Sequence, residues 1–218
     1  MSRQFVQTIE QALLPLADAQ NALAMSAYMR GKFVYLGLTT PQRRAATKAA
    51  IRAWDDDPLT PARALWRKRE REYQYVACDL LRHHMHRLGG AALATLAELV
   101  QSKSWWDTVD ALAPVVGNIV LRERSLAAEM DHWIVEDGFW LRRVAILHQL
   151  AWKQDTEERR LFQYCLQCAP EQEFFIRKAI GWALRQYART APDAVRRFVD
   201  KNRSKLSGLS VREATKHL

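Results

Sequence analysis

The chain has 218 residues and a mass of 25.2 kDa, 49% hydrophobic and 26% charged, which excludes a disordered protein and allows one sizeable domain over residues 1–218. Eight Gly and seven Pro are too few for the many turns of a β-sandwich or barrel. Lys+Arg is 33 against Asp+Glu 24, a net charge of +9 in which 24 of the basic residues are Arg, and this points towards a polyanionic partner.

In chain order, Met1-Ser-Arg-Gln-Phe-Val lacks the apolar core of a secretory leader. Thr39-Thr40-Pro41 reads as a cap with Pro in the first helical turn. Asp57-Pro58 and Thr60-Pro61 close one helix and open another. Tyr73, Val76, Ala77, Leu80 and Leu81 form a helical stripe in a segment over 72–88, which Gly89-Gly90 stops. Ser102 or Ser104 is placed to cap the next helix, whose core stripe is Trp105, Val109, Leu112 and Val116. Asp137-Gly138, Ala169-Pro170 and Ala191-Pro192 mark later joints. Ile176, Ala179, Ile180, Ala183, Leu184 and Tyr187 make a single apolar stripe over 174–189. Ser207-Gly208 precedes a last helix over 211–218. About a dozen helices joined by short loops predict an all-α chain, either a degenerate α-solenoid or an irregular bundle. No stretch approaches the roughly 18 apolar residues that span a membrane. Three Cys suggest a reducing compartment, so the cytoplasm is expected.

The charge is uneven. Residues 138–218 carry 16 Lys/Arg and 8 Asp/Glu, a net of +8, whereas residues 1–137 carry 17 and 16. The excess thus falls in the last third, as a localised basic region.

Three places depart from what a core would ask for. On the 174–189 helix, Trp182 lies on the far side from the apolar stripe, among Lys178, Arg185 and Arg189. It is either a Trp packed on a neighbouring helix with Arg side chains around it, or an aromatic platform flanked by phosphate-binding cations. In Lys103-Ser-Trp-Trp-Asp-Thr-Val-Asp110, Trp106 and Asp110 are i, i+4, so an indole and a carboxylate project together beside the core stripe. A solvated Asp at a helix edge is the bland alternative. In Trp140-Leu-Arg-Arg143, two Arg enter an apolar helix. Either one snorkels and one is solvated, or a guanidinium fork is held for a phosphate. Cys165-Leu-Gln-Cys168 has no second pair at zinc-ribbon spacing, and His83, His84 and His86 read as a basic helix end, so no metal site is expected.

Six blocks taken together are similar to the AlkD family of bacterial DNA alkylation-repair glycosylases. They are Lys32-Phe-Val-Tyr-Leu-Gly-Leu-Thr-Thr-Pro41, Arg69-Glu-Arg-Glu-Tyr73, Lys103–Asp110, Trp140-Leu-Arg-Arg-Val-Ala-Ile-Leu147, Phe174-Phe-Ile-Arg-Lys-Ala-Ile-Gly-Trp182 and Leu209-Ser-Val-Arg-Glu-Ala-Thr-Lys-His217. The resemblance implies an α-solenoid of degenerate HEAT-like helical pairs, curved with a basic concave face around duplex DNA. It implies hydrolysis of the N-glycosidic bond of N3- and N7-alkylated purines, such as 3-methyladenine and 7-methylguanine, without metal or cofactor. Carried over residue by residue, the catalytic carboxylate is Asp110, the pocket indoles are Trp106 and Trp182, and the backbone-binding Arg is Arg143. Tyr28 also matches a family position, and Lys178, Arg185 and Arg189 would extend the DNA contact. Near Thr39 the family often carries a larger polar residue. The lesion is expected to stay stacked and not to flip into a pocket. A monomer, nucleoid-associated when on DNA, suits such a protein. A non-catalytic DNA-lesion-binding helical repeat and a protein-interaction scaffold are the alternatives.

Overall fold

The computed structural model describes all of residues 1–218, which form thirteen α-helices and no strand; Val34 and Glu70 make an isolated bridge only. The chain divides into two compact units, Met1–Arg87 and Leu88–Leu218. In the first, α1 (Ser2–Leu13), α3 (Thr40–Ala53), α4 (Leu59–Arg67) and α5 (Arg71–His83) pack on one another, and α2 (Ala19–Tyr28) has no buried residue. The second holds α6 (Ala92–Gln101), α7 (Trp106–Arg122), α8 (Ala127–Trp133), α9 (Phe139–Leu147), α10 (Glu158–Gln167), α11 (Phe174–Ala188), α12 (Pro192–Lys201) and α13 (Gly208–Ala214). There α9 packs against α6, α7, α8, α10 and α11, and α11 against α12 and α13. Helices meeting their near neighbours along the chain is the pattern of an α-solenoid.

The apolar stripes become the cores. Tyr73, Val76, Ala77, Leu80 and Leu81 are buried in the first unit, and Val109, Leu112, Val116, Ile176, Ile180 and Leu184 in the second. Local chemistry sets the helix starts. Thr39 and Gln42 form a capping box at α3, the Thr39 N–H donating to Gln42 Oε1 at 3.0 Å. Asp57 accepts the N–H of Leu59 and of Thr60 at the head of α4. Ser207 accepts the Ser210 N–H at the head of α13.

Several boundaries differ from the sequence reading. The helix expected over 72–88 ends at His83, because His84 turns inward and bonds through Nε2 to the Ile51 carbonyl at 2.8 Å. A single 3₁₀ turn, Met85–Arg87, then leads to the glycines. Burial lowers the His84 pKa, so this ring is a neutral packing element and not a basic helix end. The last helix is Gly208–Ala214 and not 211–218, since Ser207 caps it four residues earlier. Neither Ser102 nor Ser104 caps α7. The Ser104 hydroxyl donates to the Val100 carbonyl of α6 at 2.7 Å, and Trp105 occupies the cap position without a side-chain bond. Trp105 is consequently half-buried, not a full member of the core stripe. Cys165 and Cys168 are buried free thiols. Burial pushes Cys165 well above the ordinary thiol range and, with Glu171, pushes Cys168 to about 12.

The unit boundary also redistributes the charge. The first unit has 14 Lys/Arg against 8 Asp/Glu, a net of +6, and the second 19 against 16, a net of +3. Residues 88–137 carry only 3 Lys/Arg and 8 Asp/Glu. The near-neutrality of residues 1–137 therefore hides a basic first unit followed by an acidic stretch, and the last third is not the only basic region.

The six sequence blocks meet in two sets. In the first unit, Glu72, from the Arg69–Tyr73 block, accepts the backbone N–H groups of Leu36 (2.9 Å), Gly37 (2.9 Å) and Leu38 (3.2 Å), all in the Lys32–Pro41 block. Its neighbour Arg71 stacks its guanidinium 3.8 Å from the Phe33 ring centroid. The other four blocks come together in the second unit.

Candidate active site

The site is built where α7, α9 and α11 pack. α7 opens at Trp106, and Asp110 follows one turn later on the same flank. α9 lies against α7 and carries Arg143 in its middle. The two side chains meet as a bidentate pair, Arg143 Nε to Asp110 Oδ1 at 2.7 Å and Nη2 to Oδ2 at 2.9 Å. This two-bond fork fixes both position and orientation of the carboxylate. Arg143 also donates through Nη1 to the Phe175 carbonyl of α11, and its guanidinium carbon is 5.9 Å from the Phe175 ring centroid. α11 thus completes the anchorage.

Close helix approach makes this possible. Gly117 on α7 faces the His148 carbonyl, and a Cβ there would sit 1.9 Å from that oxygen. Gly181 on α11 is held as tightly by α13, where a Cβ would come 2.4 Å from the Glu213 Cβ. Phe175, which Arg143 contacts, belongs to an aromatic cluster: Trp105 and Phe175 at 5.0 Å between centroids, Trp140 and Phe175 at 5.1 Å, and Trp105 and Trp140 at 5.9 Å. Such edge and tilted contacts give a stiff wall.

Exposure separates the two charges. The Arg143 side chain is 5% exposed, whereas Asp110 keeps 16%. Burial raises the Asp110 pKa, the Arg143 bonds and charge work against that, and the Asp107 charge adds to the rise. Of the four lone-pair sites on the carboxylate, Arg143 occupies two, which leaves acceptor capacity on a partly open group. Of the five guanidinium N–H groups of Arg143, three have acceptors, Asp110 taking two and the Phe175 carbonyl one. From sequence, either one Arg snorkels and the other is solvated, or a guanidinium fork is held for a phosphate. In the structure neither Arg is solvated: Arg142 pairs with Glu171 at 2.9 Å, and the Arg143 fork is taken by Asp110.

On α11, Phe175, Trp182 and Arg189 follow at seven-residue spacing and so lie along one face. Trp182 is half-buried, as is Trp106. The flanking cations are not equivalent. Lys178 and Arg185 both pair with Glu213 of α13, at 2.9 Å and 2.6 Å, and Arg189 is exposed with no ion-pair partner. Lys178 first and then Arg185 hold the Glu213 carboxyl below its ordinary range against a smaller burial effect. Sequence reasoning missed Glu213 and Phe175. Nothing local marks either one, because each acts on a helix far along the chain. Tyr28 ends α2 in the first unit and is 74% exposed. No three His, Cys, Asp or Glu side chains are grouped as a metal would need.

An all-helical chain in which Arg143 of α9 fixes the Asp110 carboxylate of α7 matches one family over nearly its whole length. The model of the DNA alkylation repair enzyme family matches residues 9–218, and the chain belongs to that family. A solved structure described as a predicted DNA alkylation repair enzyme from Enterococcus faecalis is 35% identical, with a TM-score of 0.86, covering 93% of this chain and 96% of that one. No curated protein matches. The family places the chain among enzymes of DNA alkylation repair, with DNA as the partner. No helix is long and apolar enough to cross a membrane.

Proposed function

We propose that the protein is a DNA glycosylase that hydrolyses the N-glycosidic bond of N3- and N7-alkylated purines in duplex DNA. The observation that carries this reading is the bidentate Asp110–Arg143 pair, in which the carboxylate is held rigidly yet kept partly open. A purine alkylated at N3 or N7 bears a formal positive charge and departs as a neutral base, so no general acid is essential. The barrier is charge development on the sugar, an oxocarbenium-like state. A carboxylate preorganised near C1′ stabilises that charge and orients the attacking water. Asp110 fills this role with its unoccupied lone pairs. Arg143 ties an adjacent backbone phosphate to the same carboxylate. Trp106 and Trp182 add attraction for the cationic nucleotide of about 0.5–2 kcal/mol each. Tyr28, Lys178, Arg185 and Arg189 serve the backbone. The lesion is attacked without being flipped, by a single copy of the chain, on the nucleoid.

The test is release of free 7-methylguanine and 3-methyladenine from methylated duplex DNA. A sensor that binds damaged DNA without catalysis releases neither base at any enzyme concentration, while its duplex binding stays salt-sensitive. That result would overturn the glycosylase reading and leave the sensor.

A further inference from the structure

On the second unit, α10 and α12 flank an open groove of about 470 Å³ that shares no residue with the site described above. Its floor is apolar. The Phe162 and Phe198 rings stack at 4.2 Å between centroids with 12° between their planes, and Leu166 lies in the same lining. Phe162 and Leu166 are only half-buried. Arg197 and Lys201, one turn apart on α12, stand in the wall, and both are exposed. Their neighbours find acids: Arg196 pairs with Asp193 at 2.7 Å and Arg203 with Asp200 at 3.6 Å. Arg197 and Lys201 take part in no ion pair. Glu158, the carboxylate in the lining, accepts the Tyr187 hydroxyl at 3.0 Å. Apolar surface and unneutralised positive charge thus adjoin in one groove.

We infer that this groove docks an acidic segment of a partner protein. A large apolar side chain of that segment rests on the Phe162–Phe198 floor, and its carboxylates meet Arg197 and Lys201. Charge alone would also suit DNA, but phosphate contacts need no apolar floor. Base stacking needs a free aromatic face, whereas Phe198 is 8% exposed and stacked on Phe162. The groove also lies away from the indole of the proposed site. Tyr187, whose ring meets Phe162 at 6.2 Å between centroids, is about 140° round α11 from Trp182. Each flanking helix has 10 residues. That is a length of about 15 Å, enough for roughly two to three helical turns or four to five extended residues of a partner. Segments of this size are a recurrent means of recruiting one protein to another. The inference is independent of the glycosylase reading.

The test uses the full chain and a fluorescein-labelled peptide of about ten residues, rich in Asp and Glu with Phe and Leu among them, read by anisotropy. A control peptide carries Ser in place of Phe and Leu. Arg197→Ala and Lys201→Ala each remove an exposed cation. Ala194→Glu puts bulk and negative charge into the groove. It keeps the fold, because Ala194 is half-buried in the first turn of α12, where an acid is favoured. The expected result is saturable binding, weakened about twofold to fivefold by each cation-removing variant. Ala194→Glu and the control peptide should each cost about tenfold or more. Duplex affinity should be unchanged in all three variants. Absence of peptide binding, or binding that the folded variants leave unchanged, overturns the inference. Loss of duplex affinity in the variants, with duplex displacing the peptide from the unaltered chain, assigns the cations to nucleic acid and overturns it as well. Concentration-dependent self-association in sedimentation that Ala194→Glu abolishes assigns the groove to a second copy, with the same consequence. Base release is not among these readouts, so failure of the glycosylase reading stays distinguishable.

Discussion

The two units each bury a carboxylate, and they use it in opposite ways. Glu72 in the first unit is fully buried and gives its oxygens to three backbone N–H groups of the 36–38 loop. It is wholly committed to shaping a chain segment. Asp110 in the second unit has one side-chain partner, keeps 16% exposure, and has its pKa raised by burial. Both acids sit in family-like sequence blocks, so motif membership alone does not separate the structural from the chemical residue. What separates them is unspent acceptor capacity on an accessible group.

The comparison is broken most directly by removing each charge. Asp110→Asn should lower the single-turnover rate of 7-methylguanine release by about 10²–10³-fold or more, the usual cost of one preorganised electrostatic group. Its duplex affinity should stay within about threefold, as checked by a binding titration. Full activity in that variant would remove Asp110 from the mechanism. Glu72→Ala should do the converse. It strands three buried donors at a cost of about 3 kcal/mol or more, seen as a lowered denaturant midpoint, while the folded fraction still releases base.

A titration sharpens the contrast. His148 in the second unit is wholly buried, its Nδ1 on the Ala145 carbonyl at 2.6 Å, and burial lowers its pKa to about 4. The unfolded ring takes up its proton near pH 6.5, before the folded one does. The contribution is therefore present above pH 6.5 and lost as the pH falls towards 4, about 3 kcal/mol over that window. Denaturation between pH 7 and 4 should show it, and His148→Gln should flatten the profile.

The smallest effect concerns the cations beside Trp182. Glu213→Gln releases Lys178 and Arg185 from their shared partner. Stability should change by no more than about 1 kcal/mol, as for other partly exposed pairs. Duplex affinity should rise about twofold to fivefold with a steeper salt dependence, because two cations become free for phosphates. No change in the salt slope would take both residues out of the DNA contact.

Much was legible in the chain itself. A period of 3.6 in the apolar residues and a scarcity of Gly and Pro specify helices without reference to anything distant, and apart from the half-buried Trp105 and Tyr187 the α5, α7 and α11 stripes are buried as their spacing requires. The same periodicity isolates Trp106, Asp110 and Trp182 from those stripes, since a helix of known phase has a known outside. Helix ends were less legible where tertiary partners captured the terminal residues, as His84 and Ser104 show. Only the packed structure decided what the exposed polar groups do. Arg143 reaches Asp110 across 33 residues, Glu213 holds Lys178 and Arg185 from another helix, and Gln149 is left with an unfilled donor. Local sequence sets which way a side chain points through backbone geometry a few residues long. Which charge it meets depends on helix–helix contacts that a one-dimensional pattern does not encode.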